Sequence, residues 1–191
     1  GMNYHLYGLG ATAVKESHDR IYASLTAIGK APKLAEYTIN LAPADLRKEG
    51  SSYDLSVAMS LLALNGQVDA DCLKDYLFLG ELSLDGTIQP IKGALPIAIE
   101  ARKGCFKGLI VPKANVREAA VVNNLDVYGV GHISEVIDFL KGNPQHLEPT
   151  VVDTRKEFVE QQQHFDMDFS DVKGQEVMKR AMEVAAAGGH K

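Results

Sequence analysis

The stretch Leu109–Lys141, LIVPKANVREAAVVNNLDVYGVGHISEVIDFLK, decides the fold. Two short apolar runs, Leu109 to Val111 and Val127 to Val130, have the length and β-branched content of buried strands. Between and after them, apolar residues at helical spacing predict helices over Val116 to Asn123 and Ile133 to Lys141. Strand and helix alternating at this pitch predict an α/β layer containing parallel strands, since a helix is the usual connection between parallel neighbours.

Working back from this stretch, Ala94 to Lys103 reads as a helix, with Pro96 tolerated in its first turn and Gly104 as its C-terminal stop. Between Tyr76 and Ile91 two apolar runs flank Asp85-Gly86, which predicts a β-hairpin with a tight type I′ turn and Pro90 at its far end. Leu55, Ala58, Met59, Leu61, Leu62 and Leu64 wrap most of a helix, so that helix belongs in the core. Tyr37 to Leu41 is a short strand that Pro43 ends before the polar turn Asp45 to Gly50. Ala11 to Ile28 reads as a surface helix, with Val14, Ile21, Leu25 and Ile28 inward and Lys15, Glu16, Asp19 and Arg20 outward. In the other direction, Pro144 and Pro149 mark a boundary within Gly142 to Thr154, followed by a polar helical stretch containing Gln161, Gln162 and Gln163 and a second helix near Gln175 to Ala187.

The 191 residues are 46% hydrophobic and 24% charged, enough for one sizeable core, and the net charge of -5 supplies no global field for a polyanion. Nucleic-acid contact therefore requires a local patch. Cys72 and Cys105 have no partner at a metal-ligand spacing and read as buried free thiols, and the six histidines form no ligand pair, so no metal is expected. No apolar run reaches the ~20 residues of a membrane span and no signal peptide opens the chain, which implies a soluble cytoplasmic protein. Gly1 before Met2 reads as an addition made for expression.

Two blocks carry a resemblance. Ile39-Asn40-Leu41-Ala42-Pro43-Ala44-Asp45-Leu46 with Lys48-Glu49-Gly50-Ser51-Ser52-Tyr53-Asp54-Leu55 resembles the signature of the magnesium-chelatase-like AAA+ ATPases and their competence (ComM-type) branch. Asp168-Phe169-Ser170-Asp171-Val172-Lys173-Gly174-Gln175 and Ala185-Ala186-Ala187-Gly188-Gly189-His190 resemble the opening of that family's ATPase domain. The resemblance implies a Lon-protease-like, ribosomal S5 domain 2-like α/β (α+β) domain over residues 3–142, a linker over 143–154, and a truncated start of an AAA+ domain over 155–191. It also implies that strands preceding Asn3 are missing. The phosphate loop G-x-x-x-x-G-K-[ST], whose N–H groups cradle phosphates while its Lys and Ser/Thr meet charge and magnesium, occurs nowhere in the chain. ATP and Mg2+ are therefore implied for the whole protein and no cofactor for this chain. Val172, Gly174 and Gln175 match positions near the adenine ring and are latent here.

Lys48 to Leu55 and the hairpin through Pro90-Ile91-Lys92-Gly93 also resemble the proteolytic domain of Lon, which uses a Ser-Lys dyad. That alignment places Ser52 at the nucleophile and Leu95 where the lysine belongs. A serine needs a base within hydrogen-bond reach, and leucine is none. Tyr53 and Asp54 replace the small residue and glycine of the Lon pattern. The plain alternative is that Ser51, Ser52 and Asp54 cap the following helix; the remaining catalytic route has Lys92 swinging in as base.

Gly8-Leu9-Gly10 reads as a helix-opening turn, since it lacks the third glycine and the acidic residue of a dinucleotide site. Arg102, Lys103, Lys107 and Lys113 make a candidate basic patch for DNA phosphates, or an ordinary solvated face. What the resemblance implies for function is a non-catalytic accessory domain of a ring-forming AAA+ ATPase, a homo-oligomer and in the family pattern a hexamer, that remodels DNA by branch migration. Two alternatives stand beside it: a magnesium-chelatase motor subunit, and an inactive protease-like module that binds a protein.

Overall fold

The computed structural model describes residues 3–7, 11–33, 36–40, 50–142, 147–152 and 162–163. The chain divides into two compact units, Gly1–Val151 and Val152–Lys191. In the second, residues 162–163 are helical; the expected helix near Gln175 to Ala187, and Val172, Gly174 and Gln175, lie outside the described residues. So does the turn Gly8-Leu9-Gly10.

The first unit is α/β. Strand β1 (Asn3–Tyr7) pairs in parallel with β2 (Glu36–Asn40), and helix α1 (Ala11–Ala27) lies between them in sequence. A 3-10 turn, Gly50–Tyr53, leads into α2 (Asp54–Leu64), and the short α3 (Ala70–Leu73) follows, capped by the Asp69 carboxylate accepting from Asp71 N–H. Strand β3 (Tyr76–Phe78) joins β6 (Gly108–Pro112) and β7 (Asp126–Val130) in a parallel sheet of order β3-β6-β7. The hairpin β4 (Glu81–Leu82) and β5 (Ile88–Gln89) interrupts this sheet in sequence, and α4 (Ala94–Lys103), α5 (Val116–Ala120) and α6 (Ile133–Leu140) complete the unit.

Burial explains the arrangement. All five residues of β6 are buried, as a central parallel strand covered on both faces requires. Helix α2 buries Leu55, Val57, Ala58, Met59, Leu61 and Leu62, but Leu64 at its end is 62% exposed, contrary to the expected inward row. Helices α4 and α6 each bury one stripe: Ala94, Ile97, Ala98 and Ala101 in the first, Ile133, Val136 and Ile137 in the second. Helix α5 is shorter than expected and stops at Ala120.

Three local expectations are corrected. The apolar run from Tyr76 does not enter the hairpin whole: Tyr76–Phe78 pairs with β6, and the chain turns at Gly80, where a Cβ would meet Ile88 Cγ2 at 2.6 Å. The turn is not type I′, because among the described non-glycine residues only Cys105 and Asn124 have positive φ, so Asp85 does not. Instead Gly86 N–H donates to Ser83 C=O, Ser83 N–H to Thr87 C=O, and Gly86 alone is left-handed at φ 93°, which is a three-residue loop. The Asp85 carboxylate accepts from Thr87 N–H at 2.9 Å, holding this loop, and those Thr87 bonds lower its pKa from the ordinary value. Gly104 caps α4 as expected (φ -76°), and the left-handed residue is the next one, Cys105 (φ 59°). Cys105 N–H bonds Arg102 C=O and Phe106 N–H bonds Ala101 C=O, closing the helix in the Schellman pattern. That places Cys105 on the surface and leaves Cys72 half-buried, so neither is the buried thiol expected.

Candidate functional site

Ser52 sits within the 3-10 turn, 8% exposed, and its backbone is tied to Gly80, in the link between β3 and β4. Gly80 N–H donates to Ser52 C=O at 2.9 Å, and Leu55 N–H returns a bond to Gly80 C=O at 3.0 Å. Ser56 Oγ donates to Phe78 C=O. The first turn of α2 is thus capped by a strand end, and the residue before it, Tyr53, makes no side-chain cap. The expected capping by Ser51, Ser52 and Asp54 is therefore corrected for Asp54, whose carboxylate turns elsewhere.

Asp54 is fully buried and accepts four hydrogen bonds. Arg20 Nε donates to Oδ2 at 2.7 Å and Arg20 Nη2 to Oδ1 at 3.1 Å; Ser17 Oγ donates to Oδ1 at 2.7 Å and Leu82 N–H to Oδ2 at 3.1 Å. Burial pushes the Asp54 carboxyl above its ordinary value, while the bonds from Arg20, Ser17 and Leu82 pull it down; the carboxylate beside it raises Arg20. Every neighbour presents a hydrogen, an arrangement that only an ionised carboxylate satisfies in full. Arg20 was expected on the outer face of α1. It lies instead over the core beside Ser17 and Ser24, both buried, and Ser24 Oγ is 2.5 Å from Ser83 C=O in the hairpin loop. This network ties α1, α2 and the hairpin together. Its signal was present in the sequence: Ser17, Arg20, Ile21, Ser24 and Leu25 fall on one helical stripe, with the small polar residues inside it.

Tyr53, the residue after Ser52, is also buried, and its hydroxyl has no hydrogen-bond partner among the described residues. Burial raises its pKa.

The position aligned with the dyad lysine is built differently. Leu95 stands in the first turn of α4 and is exposed, as are Lys92 and Gly93. The segment before it is clamped by a buried Asn115, which ends the 3-10 turn Lys113–Asn115 between β6 and α5: Ile91 N–H donates to Asn115 Oδ1 at 2.9 Å, and Asn115 Nδ2 donates to Ile91 C=O at 2.7 Å and to Glu118 Oε1 at 2.7 Å. One amide thus satisfies both backbone groups of Ile91, as a strand neighbour would. Sequence reasoning passed over this residue. The hairpin is pinned on its other side by His132, whose Nε2–H donates to Asp85 C=O at 3.0 Å while Nδ1 accepts from Ser134 N–H at 3.1 Å, and by Ile88 N–H donating to Gly131 C=O at 2.9 Å.

The basic residues divide. Arg102 and Lys103 lie in the last turn of α4 and Lys107 just before β6, all exposed, with Lys103 Nζ 3.3 Å from Glu100 Oε1. Lys113 follows the far end of β6, a strand length or roughly 16 Å away at about 3.3 Å per residue, and pairs with Glu135 at 3.9 Å. Among the described residues no group of three or more His, Cys, Asp or Glu is placed to hold a metal ion, and no helix is long and apolar enough to cross a membrane.

A three-stranded parallel sheet with a hairpin pinned beside it and helices packed against it defines an α/β domain. Over 103 residues, 51% of this chain and 12% of the other, it is 31% identical to Lon protease of Haemophilus influenzae. The chain belongs to the family of the ChlI subunit of magnesium chelatase: "Subunit ChlI of Mg-chelatase" matches residues 1–115 and "Magnesium chelatase, subunit ChlI" matches residues 168–191. Similarity extends along nearly all of it to the uncharacterized protein YifB of Escherichia coli (strain K12), 40% identical over 185 residues, and to the competence protein ComM of Haemophilus influenzae, 36% identical over 188 residues. These matches cover 97% and 98% of this chain but 35% and 36% of the relatives, so the chain spans about a third of their length.

Proposed function

We propose that this chain is an accessory domain without peptidase activity, within a ring-forming AAA+ ATPase that remodels branched DNA. Residues 3–142 are the scaffold, 143–154 the connection, and 155–191 the opening of the motor domain. The observation that carries the scaffold reading is the fate of the dyad. Ser52 is buried with its backbone tied to Gly80, the next two positions are filled by a buried tyrosine and a buried ion pair, and Leu95 offers no base. A nucleophilic serine needs an adjacent base and an approach for a peptide backbone, and this turn provides neither.

The similarity to the competence protein, which runs along 98% of this chain and 36% of that protein, supports the reading as part of such a motor, and Arg102, Lys103 and Lys107 would be the phosphate-facing group of this domain. Lys113, at the other end of β6, belongs to a separate contact. ATP and Mg2+ are assigned to the rest of the protein, because the chain contains no phosphate-loop pattern to cradle them. The family's description favours a second reading, a motor for metal insertion into a porphyrin.

One experiment separates the two: ATP hydrolysis by the full-length protein with branched DNA, with linear duplex, and with a porphyrin. Stimulation by branched DNA alone, weakened when Arg102, Lys103 and Lys107 are changed together to Ala, is the expected result. Stimulation by porphyrin without any DNA response would reject the DNA reading and leave those three residues as a solvated face.

A further inference from the structure

The sequence holds a single Asn-Gly pair, Asn65-Gly66, and a single Asp-Gly pair, Asp85-Gly86. In such pairs the glycine has no Cβ to shield its nitrogen, and its backbone freedom lets that nitrogen reach the carbonyl carbon of the preceding side chain. The fold treats the two pairs differently. Asn65 ends α2, and Gly66 follows in the left-handed region at φ 74°. Gly66 N–H donates to Ala63 C=O at 3.0 Å, Gln67 N–H to Leu62 C=O at 2.9 Å, and Asn65 Nδ2 to Leu61 C=O at 2.7 Å. These acceptors all lie in the last turn of one helix, and that turn is thinly covered. Leu64 is 62% exposed, Gly66 is exposed, and a Cβ on Gly66 would meet nothing within 4 Å. Lys33 N–H reaches Asn65 Oδ1 at 3.4 Å, longer than the usual range.

Asp85-Gly86 is packed from behind. A Cβ on Gly86 would lie 3.0 Å from His132 Cε1 and Nε2, and Gly86 C=O accepts from Ile133 N–H at 2.9 Å. The Thr87 bonds that lower the Asp85 pKa also keep its side chain ionised, and a carboxylate accepts a nucleophile less readily than an amide does.

We propose that Asn65 is a site of spontaneous deamidation in the folded protein, gated by fraying of the last turn of α2, and that the packing of Asp85-Gly86 guards the second pair. When the turn opens, Gly66 N–H releases Ala63 C=O and the Asn65 amide releases Leu61 C=O. The Gly66 nitrogen gives its proton to solvent and bonds to Asn65 Cγ, the Cγ–Nδ2 bond breaks, and ammonia leaves behind a cyclic imide. Water then opens the imide. Breaking the bond from Gly66 N to Cγ gives aspartate, and breaking the main-chain bond from Gly66 N gives an isoaspartyl link. Either product removes the donor that Leu61 C=O used and adds a negative charge at the negative end of the helix dipole. The product therefore loosens the same turn whose opening produced it. This inference does not rest on the DNA reading.

The test is peptide mapping by mass spectrometry, with enzymatic methylation to count isoaspartate, after incubating the 191-residue chain at mildly alkaline pH with and without urea. In the native chain Asn65 is expected to convert well ahead of Asn123 and Asn124, which are exposed but not followed by glycine. Its native rate is expected to be roughly tenfold or more below its rate in urea. Leu64→Gly, an exposed change that weakens only the helix end, is expected to speed native conversion about fourfold, the ratio set by the two helix propensities. Asn65→Asp is expected to lower the urea midpoint. Native conversion at Asn65 no faster than at Asn123 and Asn124 overturns the site. Equal rates with and without urea, or no effect of Leu64→Gly, overturn the gate. Native isoaspartate at Asp85 as abundant as at Asn65 overturns the guard, and an unchanged midpoint for Asn65→Asp overturns the loosening.

Discussion

The turn around Ser52 and the start of α4 around Leu95, the two places that the Lon resemblance aligns with a dyad, are stabilised by opposite chemistry. At the first, a buried carboxylate gathers a guanidinium, a hydroxyl and a backbone N–H. At the second, a neutral amide pairs with one residue's backbone and leaves the side chains of Lys92 and Leu95 in solvent. The difference teaches that two turns of one domain can be held by opposite means. The Ser52 turn is absorbed into the core and joins three elements, while the start of α4 is surface held from behind.

The comparison is broken most directly at Asp54. Asp54→Ala leaves Arg20 over the core without its partner and strands the Leu82 N–H; breaking one member of a buried pair costs about 3–5 kcal/mol, and the partly solvated Arg20 puts this case near the lower end. Urea unfolding of the chain measures it, and the double change Arg20→Met with Asp54→Leu is expected to recover most of the loss. A cost for Asp54→Ala below about 1 kcal/mol would make the network a surface-like pair and erase the contrast between the two regions.

Asn115→Ala tests the neutral side. It orphans the N–H and C=O of Ile91, a loss of about 1–3 kcal/mol, read by the same unfolding curves. Faster amide exchange at Ile91, with Leu82 unchanged, would place the damage at the start of α4 and not at the Ser52 turn. The smallest change sharpens the first region from within. Tyr53→Phe removes a buried hydroxyl that has no partner among the described residues, so stability is expected to hold or rise by up to about 1 kcal/mol, in contrast to its neighbour Asp54. A clear loss would mean that the hydroxyl has a partner beyond the described residues.

Much of this fold was legible because its signals are local. The bounds of α4 follow from Gly93 through Lys103, and β6, β7 and the start of α6 follow from apolar runs that need no distant partner to be read. What escaped is long-range. No pattern within the Tyr76 run says that its first three residues will pair with Gly108–Ile110 while the rest enters a hairpin. The Asp-Gly pair fits two kinds of turn, and the choice between them is made by the Asp85 carboxylate on Thr87 N–H and by His132, far along the chain. The site was legible only in part. Ser52 and Leu95 came from resemblance, whereas Asp54 and Asn115, the residues that organise the two turns, look like an ordinary helix-start carboxylate and a loop amide until their partners are known.

The register of the parallel sheet also sets an order of events in time. Gly108 pairs with Asp126 on one side and with Tyr76 on the other, so joining β6 to β7 closes a much shorter loop than joining β3 to β6. Loop-closure entropy grows with length, and contacts close in sequence form sooner. The β6-α5-β7 unit is thus predicted to assemble first and to act as the template on which β3, made earlier but left waiting, later docks. During synthesis Tyr76–Phe78 leaves the ribosome before β6, its strand partner among the described residues, exists, so that short apolar strand waits unpaired until Gly108–Ile110 has been made.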